Sequence, residues 1–291
     1  MQNGTDNTDV TKPIRIPIED VLDLHTFLPK EIPSLLNEYL NACLDTGIYS
    51  VRIIHGKGKG QLKNRVQGLL EKHGARAMNM PLTQSQIDQF AIHARELVEW
   101  NRSVNLTAII DPVEVAVKHF LDTLPVSPLL PSGSWVLDIG SGGGFPGIPL
   151  KVMRPDLHVM LIDATRKKVS FQKHIISTLA LEDIEARHVR AEDLKRELQP
   201  ESRRYDIIVS KAVSKLDMFV DLAVPLLRRP GTVIAMKGKS VEAELEAVRS
   251  RVEADGLSLV TKKYRLPYLD IERSLIVLSD TPDVIAEGGT S

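Results

Sequence analysis

Residues 135–150, Trp135-Val-Leu-Asp138-Ile-Gly140-Ser-Gly142-Gly143-Gly144-Phe145-Pro146-Gly147-Ile-Pro149-Leu150, constrain this chain more than any other stretch. Val136, Leu137 and Ile139 form a short apolar run bounded by turn residues, the pattern of a strand covered on both faces in a parallel sheet. The glycines that follow permit positive φ and let the backbone approach a ligand closely, and Pro146 suits the first turn of a helix. Strand, glycine turn and helix in that order predict a parallel α/β sheet with a ligand over the turn.

The spacing selects the ligand. A dinucleotide site asks for G-x-G-x-x-G with pyrophosphate at the helix N-terminus, but Phe145 stands where the third glycine belongs. Asp138, Gly140, Gly142 and Gly144 meet acidic-x-G-x-G-x-G instead, the signature of S-adenosylmethionine-dependent methyltransferases. An acid beside the turn suits a ligand carrying an ammonium and a sulfonium, and repels a pyrophosphate. The next apolar stretch, 157–162, ends at Asp163, where a doubly wound fold places a carboxylate on ribose hydroxyls. S-adenosylmethionine is therefore the expected cofactor.

Beyond Asp163 the pattern alternates: helix 167–179, strand 184–189, strand 206–210, helix 216–227, strand 232–236 and helix 241–255. Two last stretches, 257–265 and 274–278, are expected to pair as an antiparallel edge. The fold class is α/β, a seven-stranded doubly wound, Rossmann-like sheet in a domain at 81–285. A helical preface precedes it. A helix runs from Pro81 through Asn101 with Ile87, Phe90, Ala94, Leu97 and Val98 on one face, a second starts at Pro112, and 125–134 reads as a Pro/Ser-rich turn.

Upstream, residues 1–14 are polar and read as a disordered tail. Residues 15–74 form a separate α/β module and 75–80 a linker. Within the module a helix at 33–46 is closed by Gly47, a strand lies at 49–54, a glycine turn at 55–60 and an amphipathic helix at 62–73. Charge is divided unevenly: residues 1–50 hold 3 Lys/Arg against 8 Asp/Glu, whereas 51–76 hold 7 against 1. Lysines in a turn at a helix N-terminus make a site for phosphate. Asp23-Leu24-His25 and His55-Gly56-Lys57-Gly58 make 16–74 resemble the Smr domain, whose D-L-H and H-G-x-G motifs are associated with nucleic-acid binding and, in some members, nicking. Ala75-Arg-Ala-Met-Asn-Met80 stands where that family has a last glycine-rich strand. The resemblance implies nucleic-acid contact through His55, Lys57 and Lys59.

Net charge is −1, so nucleic acid must be met by patches rather than bulk charge. The single cysteine, Cys43, excludes an internal disulfide framework and a Cys-based zinc cluster and points to a reducing compartment. No apolar run reaches about eighteen residues, and the polar start has no signal-peptide core. A cytoplasmic protein is expected, without membrane attachment or metal.

Elimination narrows the acceptor. Methylation of a pyrimidine C5 usually needs a cysteine nucleophile, and the only one lies in the N-terminal module. Exocyclic amines are typically met by an Asn/Asp-Pro-Pro-aromatic tetrapeptide after the fourth strand, where this chain has Ser210-Lys211-Ala212-Val213. A free lone pair such as guanine N7 needs neither device, and catalysis rests on positioning and on tolerating a cationic product. No catalytic side chain is then expected. Asn105-Leu106-Thr107-Ala108-Ile109, His119 with Asp122, residues 137–150, Asp163 with Lys167 and Lys168, Arg190-Ala191-Glu192 and Lys237-Gly238 make residues 80–280 resemble the RsmG (GidB) family of 16S rRNA guanine-N7 methyltransferases. The resemblance implies that Asp138, Gly140, Gly142 and Phe145 line the cofactor, Asp163 takes its ribose, Ala191 and Glu192 flank its adenine, and Lys211 stands where the family has arginine. His119, Lys167, Lys168 and Lys237 would then face RNA, with 16S rRNA or the 30S subunit as partner. A small-molecule methyltransferase, or a nucleic-acid-binding or nicking protein with a methyltransferase half acting on another substrate, are the competing readings.

Overall fold

The structure, a computed structural model, describes residues 16–24, 27, 31–48, 51–54, 75, 78–109, 112–197, 204–211, 215–238, 240–267, 269 and 271–281. Near the N-terminus β1 (Val21–Asp23) and β2 (Arg52–Ile54) pair in parallel, and α1 (Ile32–Asp45) lies between them in sequence. Gly47, at φ 77°, follows the end of α1, as a left-handed terminator does. The expected turn at 55–60 and helix at 62–73 lie outside the described residues, and with them His55, Lys57 and Lys59.

The long helix α2 (Gln84–Val104) starts three residues later than Pro81 because Thr83 caps it. Gln86 N–H donates to Thr83 Oγ1 at 3.2 Å, and Thr83 N–H donates to Gln86 Oε1 at 2.9 Å, satisfying two end groups reciprocally. Ile87, Phe90, His93, Ala94 and Leu97 form its buried face, which Val98 only borders. Next, α3 (Pro112–Val115) passes directly into a π-helical turn, Ala116–Phe120, and a 3₁₀ stretch, Leu121–Leu129. The turn expected from residue 125 thus starts later. Pro125 and Pro128 sit inside the 3₁₀ stretch, because proline's fixed φ is that of a 3₁₀ turn.

The sheet follows: β3 (Trp135–Ile139), α4 (Gly147–Met153), β4 (His158–Asp163), α5 (Arg166–Thr178), β5 (Ile184–His188), α6 (Ala191–Arg196), β6 (Tyr205–Lys211), α7 (Leu216–Ala223), β7 (Leu227–Lys237), α8 (Glu242–Ala254), β8 (Ser258–Leu266) and β9 (Ile271–Ser279). The seven strands lie in the order β5-β4-β3-β6-β7-β9-β8. Pairings from β5 through β7 are parallel, and β9 is antiparallel to both β7 and β8. This is the expected seven-stranded doubly wound α/β sheet with an antiparallel edge. Alternation along β3 decides which face each residue enters. Val136 joins the core under α2 and α5 with Phe90, Leu97, Phe120 and Phe171. Leu137 joins the opposite core with Phe219, Val220 and Val252. The strand order reverses between β3 and β6, so the crevice at their carboxyl ends is where a doubly wound sheet receives its ligand.

A third apolar cluster joins Leu22, Leu36, Tyr39, Leu40 and Cys43 of the N-terminal module to Val117, Leu121, Leu124 and Leu266. Ala75, Met78 and Met80 from the expected linker belong to the same cluster. No helix among the described residues is long and apolar enough to cross a membrane.

Candidate cofactor and substrate site

The glycine turn is fixed from three directions. Gly140 and Ser141 both donate their N–H to Ile162 O, at 2.9 and 3.1 Å. Gly142 N–H donates to Asp163 Oδ2 at 3.0 Å, and its carbonyl accepts Gln172 Nε2 at 3.0 Å. His93 Nε2 lies 2.8 Å from Gly143 O. Substitution has no room at two glycines beneath the turn. A Cβ at Gly144, where φ is 88°, would lie 2.4 Å from Ile148 Cδ1, and one at Gly147 would lie 2.2 Å from Leu161 Cδ2. At Gly140, where φ is 74°, a Cβ would meet nothing within 4 Å, so the open side of the backbone is there. Pro146, expected in the first helical turn, is the N-cap of α4.

The two carboxylates at the strand ends are used differently. Asp138 is fully buried, and its Oδ2 accepts Gly147 N–H at 2.8 Å. Its Oδ1 is buried with no partner. Burial pushes its pKa up to about 7, against the pull of the Gly147 N–H. Asp138 thus lies beneath the turn at the start of α4, where the sequence suggested an acid beside it. Asp163 is nearly buried, and both its oxygens accept backbone N–H groups, Oδ2 from Gly142 and Oδ1 from Thr165 at 2.8 Å. Ala191, buried, and Glu192, exposed, open α6 after β5, whose neighbour β4 ends at Asp163.

Phe145 is clasped between two imidazoles. Its ring stacks on His93 at 4.8 Å and 5° and on His119 at 4.4 Å and 11°. Phe120 closes the edge at 5.3 Å. Complete burial lowers the His93 pKa to about 4, so the ring is neutral and its Nε2–H donates to Gly143. His119 also titrates far below its usual range, first through burial and then through the nearby Lys211 charge. Its Nε2 lies 3.2 Å from Thr107 Oγ1 and its Nδ1 is buried without a partner. This corrects the expectation of an RNA-facing His119: a neutral ring packed on Phe145 presents no charge to a phosphate.

Behind this stack lies a buried charge network. Lys211, the last residue of β6, places Nζ 3.0 Å from Asp122 Oδ2, donates also to the Lys118 carbonyl, and sits 5.9 Å from the Phe145 ring centre. Asp122 Oδ1 accepts Tyr264 Oη–H at 2.6 Å and has Arg273 Nε at 3.5 Å. Burial and the neighbouring Asp122 push the Tyr264 phenol up, which keeps it a donor. Sequence reasoning missed His93, Gln172, Tyr264 and Arg273. Only His93 carried a local signal, a titratable residue in line with Ile87, Phe90 and Leu97 on the apolar face of α2.

The other expected RNA contacts separate. Lys167 is exposed at the start of α5, next to the exposed Arg166, and Lys168 is half-buried. Lys237 is only 9% exposed and bonds Glu244 at 2.7 and 3.1 Å; Glu244 also accepts Leu216 N–H at 2.8 Å. Lys237 thus spends its charge inside the protein, contrary to the expectation of an RNA contact. Among the described residues no group of three or more His, Cys, Asp or Glu is placed to hold a metal. A cavity of about 590 Å³ lies at the amino ends of β3 to β6, lined by Trp135, His158, Ile184 and Tyr205, away from the turn.

The rRNA small subunit methyltransferase G family model matches residues 86–267. A methyltransferase of that name from Geotalea uraniireducens is 41% identical over 211 residues, covering 72% of this chain and 95% of the relative. One from Geobacter sulfurreducens is 40% identical over 206 residues, covering 70% and 94%. The chain belongs to the rRNA small subunit methyltransferase G family. The methyltransferase G match takes in the whole glycine turn, Lys211 and β8. The Smr domain model matches residues 22–88, meeting the methyltransferase G match at the start of α2.

Proposed function

We propose that this chain transfers a methyl group from S-adenosylmethionine to N7 of a guanine in 16S rRNA, free or within the 30S subunit. The observation that carries the reading is that the turn and Lys211 fall inside the methyltransferase G match. The fit of the cofactor is supported by the buried, partnerless Asp138 Oδ1, an acceptor that a ligand ammonium would satisfy, and by the open backbone at Gly140. Gly140, Gly142 and Phe145 would line the cofactor, Asp163 would meet its ribose, Ala191 and Glu192 its adenine, and Lys211 its carboxylate. When bound, it supplies an electrophilic methyl on a sulfonium.

The chain's own residues then position and exclude. Guanine N7 carries a free lone pair, so no side chain has to take a proton from it. His93 and His119 suit that role of bystander, being neutral with Nε2 engaged by Gly143 and Thr107. Cys43 is buried in the N-terminal cluster and is no nucleophile for the reaction. Catalysis then rests on the orientation of base and methyl. Arg166, Lys167 and Lys168 at the start of α5, with His55, Lys57 and Lys59 of the N-terminal module, would grip phosphates, and the target base would leave its stack to reach the methyl.

Transfer of labelled methyl to unmodified small-subunit rRNA and to 30S particles, with Asp163→Ala as control and the modified base mapped, tests the proposal. A single 7-methylguanosine, lost in the variant, is expected. Cofactor binding without any transfer to rRNA would overturn it. For the module, replacing Lys57 and Lys59 by alanine should weaken RNA binding and flatten its salt dependence.

A further inference from the structure

We infer that Asp122 is a positioning residue that keeps Lys211 charged and aimed for the cofactor's carboxylate. The inference rests on the reading above, in which Lys211 serves the cofactor.

Lys211 is the cation of the proposed cofactor set, and its charge has to be maintained against burial. Its side chain is 12% exposed and that of Asp122 is 3% exposed. Burial pushes the Lys211 ammonium toward losing its proton, and the Asp122 carboxylate at 3.0 Å is the first opposing influence. An ammonium has three N–H donors. Asp122 Oδ2 and the Lys118 carbonyl take two, which leaves one, beside the Phe145 ring. The charged groups around Lys211 come from several elements. Asp122 is on the 3₁₀ stretch, Arg273 on β9 opposes its charge and Asp138 on β3 favours it. His119 on the π turn is neutral, and Tyr264 on β8 is a neutral donor to Asp122. Asp122 is the group in direct contact.

Asp122 is itself held for the task. Tyr264 Oη and Arg273 Nε converge on its Oδ1, so Oδ2 is turned to Lys211. A lysine needs this partner in a way that an arginine would not, because the guanidinium keeps its proton at any ordinary pH while a desolvated ammonium gives it up. The ammonium at this buried position therefore makes the carboxylate a functional requirement.

The test measures binding of S-adenosylhomocysteine by calorimetry from about pH 7 to about pH 10, on the full chain. Asp122→Asn is expected to bind roughly tenfold more weakly at neutral pH and to lose up to about tenfold more per pH unit above that, as Lys211 deprotonates. The wild type should stay flat over the lower part of that range. Tyr264→Phe, which leaves both charges in place, should keep the wild-type profile. In Asp122→Asn combined with Lys211→Arg the pH dependence should return to that of the wild type, an outcome that a merely structural role for Asp122 would not produce. The inference is overturned if Asp122→Asn, folded by circular dichroism, binds with a wild-type profile, or if Lys211→Arg leaves its pH dependence intact. If Lys211→Met alone binds like the wild type, the reading that Lys211 serves the cofactor has failed, and with it this role for Asp122. Should Asp122→Asn not fold, the same comparison is made with Asp122→Glu, expected to keep the flat profile at reduced affinity.

Discussion

The glycine turn at 138–147 and the helical run at 112–129 face each other across Phe145, yet they are held in opposite ways. The turn is built from backbone groups: Gly140, Ser141, Gly142 and Gly147 donate to Ile162 or to the carboxylates of Asp163 and Asp138. The helical run is held by side chains that meet distant strands, as when Asp122 accepts the Tyr264 hydroxyl 142 positions away. Backbone requirements leave marks in contiguous sequence, such as glycines where φ is positive or a Cβ has no room. Side-chain convergence leaves none, since an aspartate in a helix reads as solvated until its partners are placed.

Breaking the turn at its buried acid gives the largest expected effect. Asp138 has its pKa raised from 3.8 to about 7, so between those values the folded protein binds more protons than the unfolded chain. Stability from this group is full below about pH 4 and is lost as pH rises through about 7, by about 4 kcal/mol at 1.4 kcal/mol per pH unit. Unfolding free energies of wild type and Asp138→Asn, measured between pH 4 and pH 8, should diverge in that direction; parallel curves would mean that Asp138 is not desolvated. His93 should slope the other way. Its pKa is lowered from 6.5 to about 4, so the stability it contributes is present above about pH 6.5 and falls away toward about pH 4, by about 3 kcal/mol. His93→Gln, which keeps an N–H for Gly143, should remove that acid-side loss.

A steric break comes next. Gly147→Ala would set a Cβ 2.2 Å from Leu161 Cδ2 and 2.9 Å from Asp138 Oδ2, and overpacking of this kind costs about 1–3 kcal/mol. The denaturation midpoint should fall accordingly, and cofactor affinity with it, because the α4 N-terminus that Asp138 holds is displaced. An unchanged midpoint would show that the turn has slack that its hydrogen bonds do not suggest.

These residues also show how far the sequence could be read. The succession of strands and helices followed from apolar runs alternating with amphipathic helices, and Asp138, Gly140, Gly142, Asp163 and Lys211 do gather at the carboxyl ends of β3, β4 and β6. The start of α2 was misplaced because the Thr83–Gln86 capping box outweighs the signal at Pro81. The extent of the helical run was misjudged because proline is as compatible with a 3₁₀ stretch as with a turn. His119 and Lys237 drew attention as polar residues near the site, but residue type does not tell whether a charge faces water or is consumed inside. Glu244, which consumes that of Lys237, lies in a helix whose composition is otherwise that of a solvated surface.

That last distinction supports the smallest and sharpest prediction. Lys167 and Lys237 are both lysines at the carboxyl edge of the sheet, one exposed at a helix start and the other bonded to Glu244. Each phosphate contact removed should lower the slope of log affinity against log salt by about 0.7 for single-stranded RNA. Lys167→Ala should show that change in a filter-binding series at several salt concentrations, with its folding stability unaltered. Lys237→Ala should leave the slope where it was and lower stability instead, because removing the ammonium leaves Glu244 half of a broken pair beside the start of α7. If Lys237→Ala changed the salt slope and Lys167→Ala did not, RNA binding would have to pull Lys237 away from Glu244, and the start of α7 would move with it.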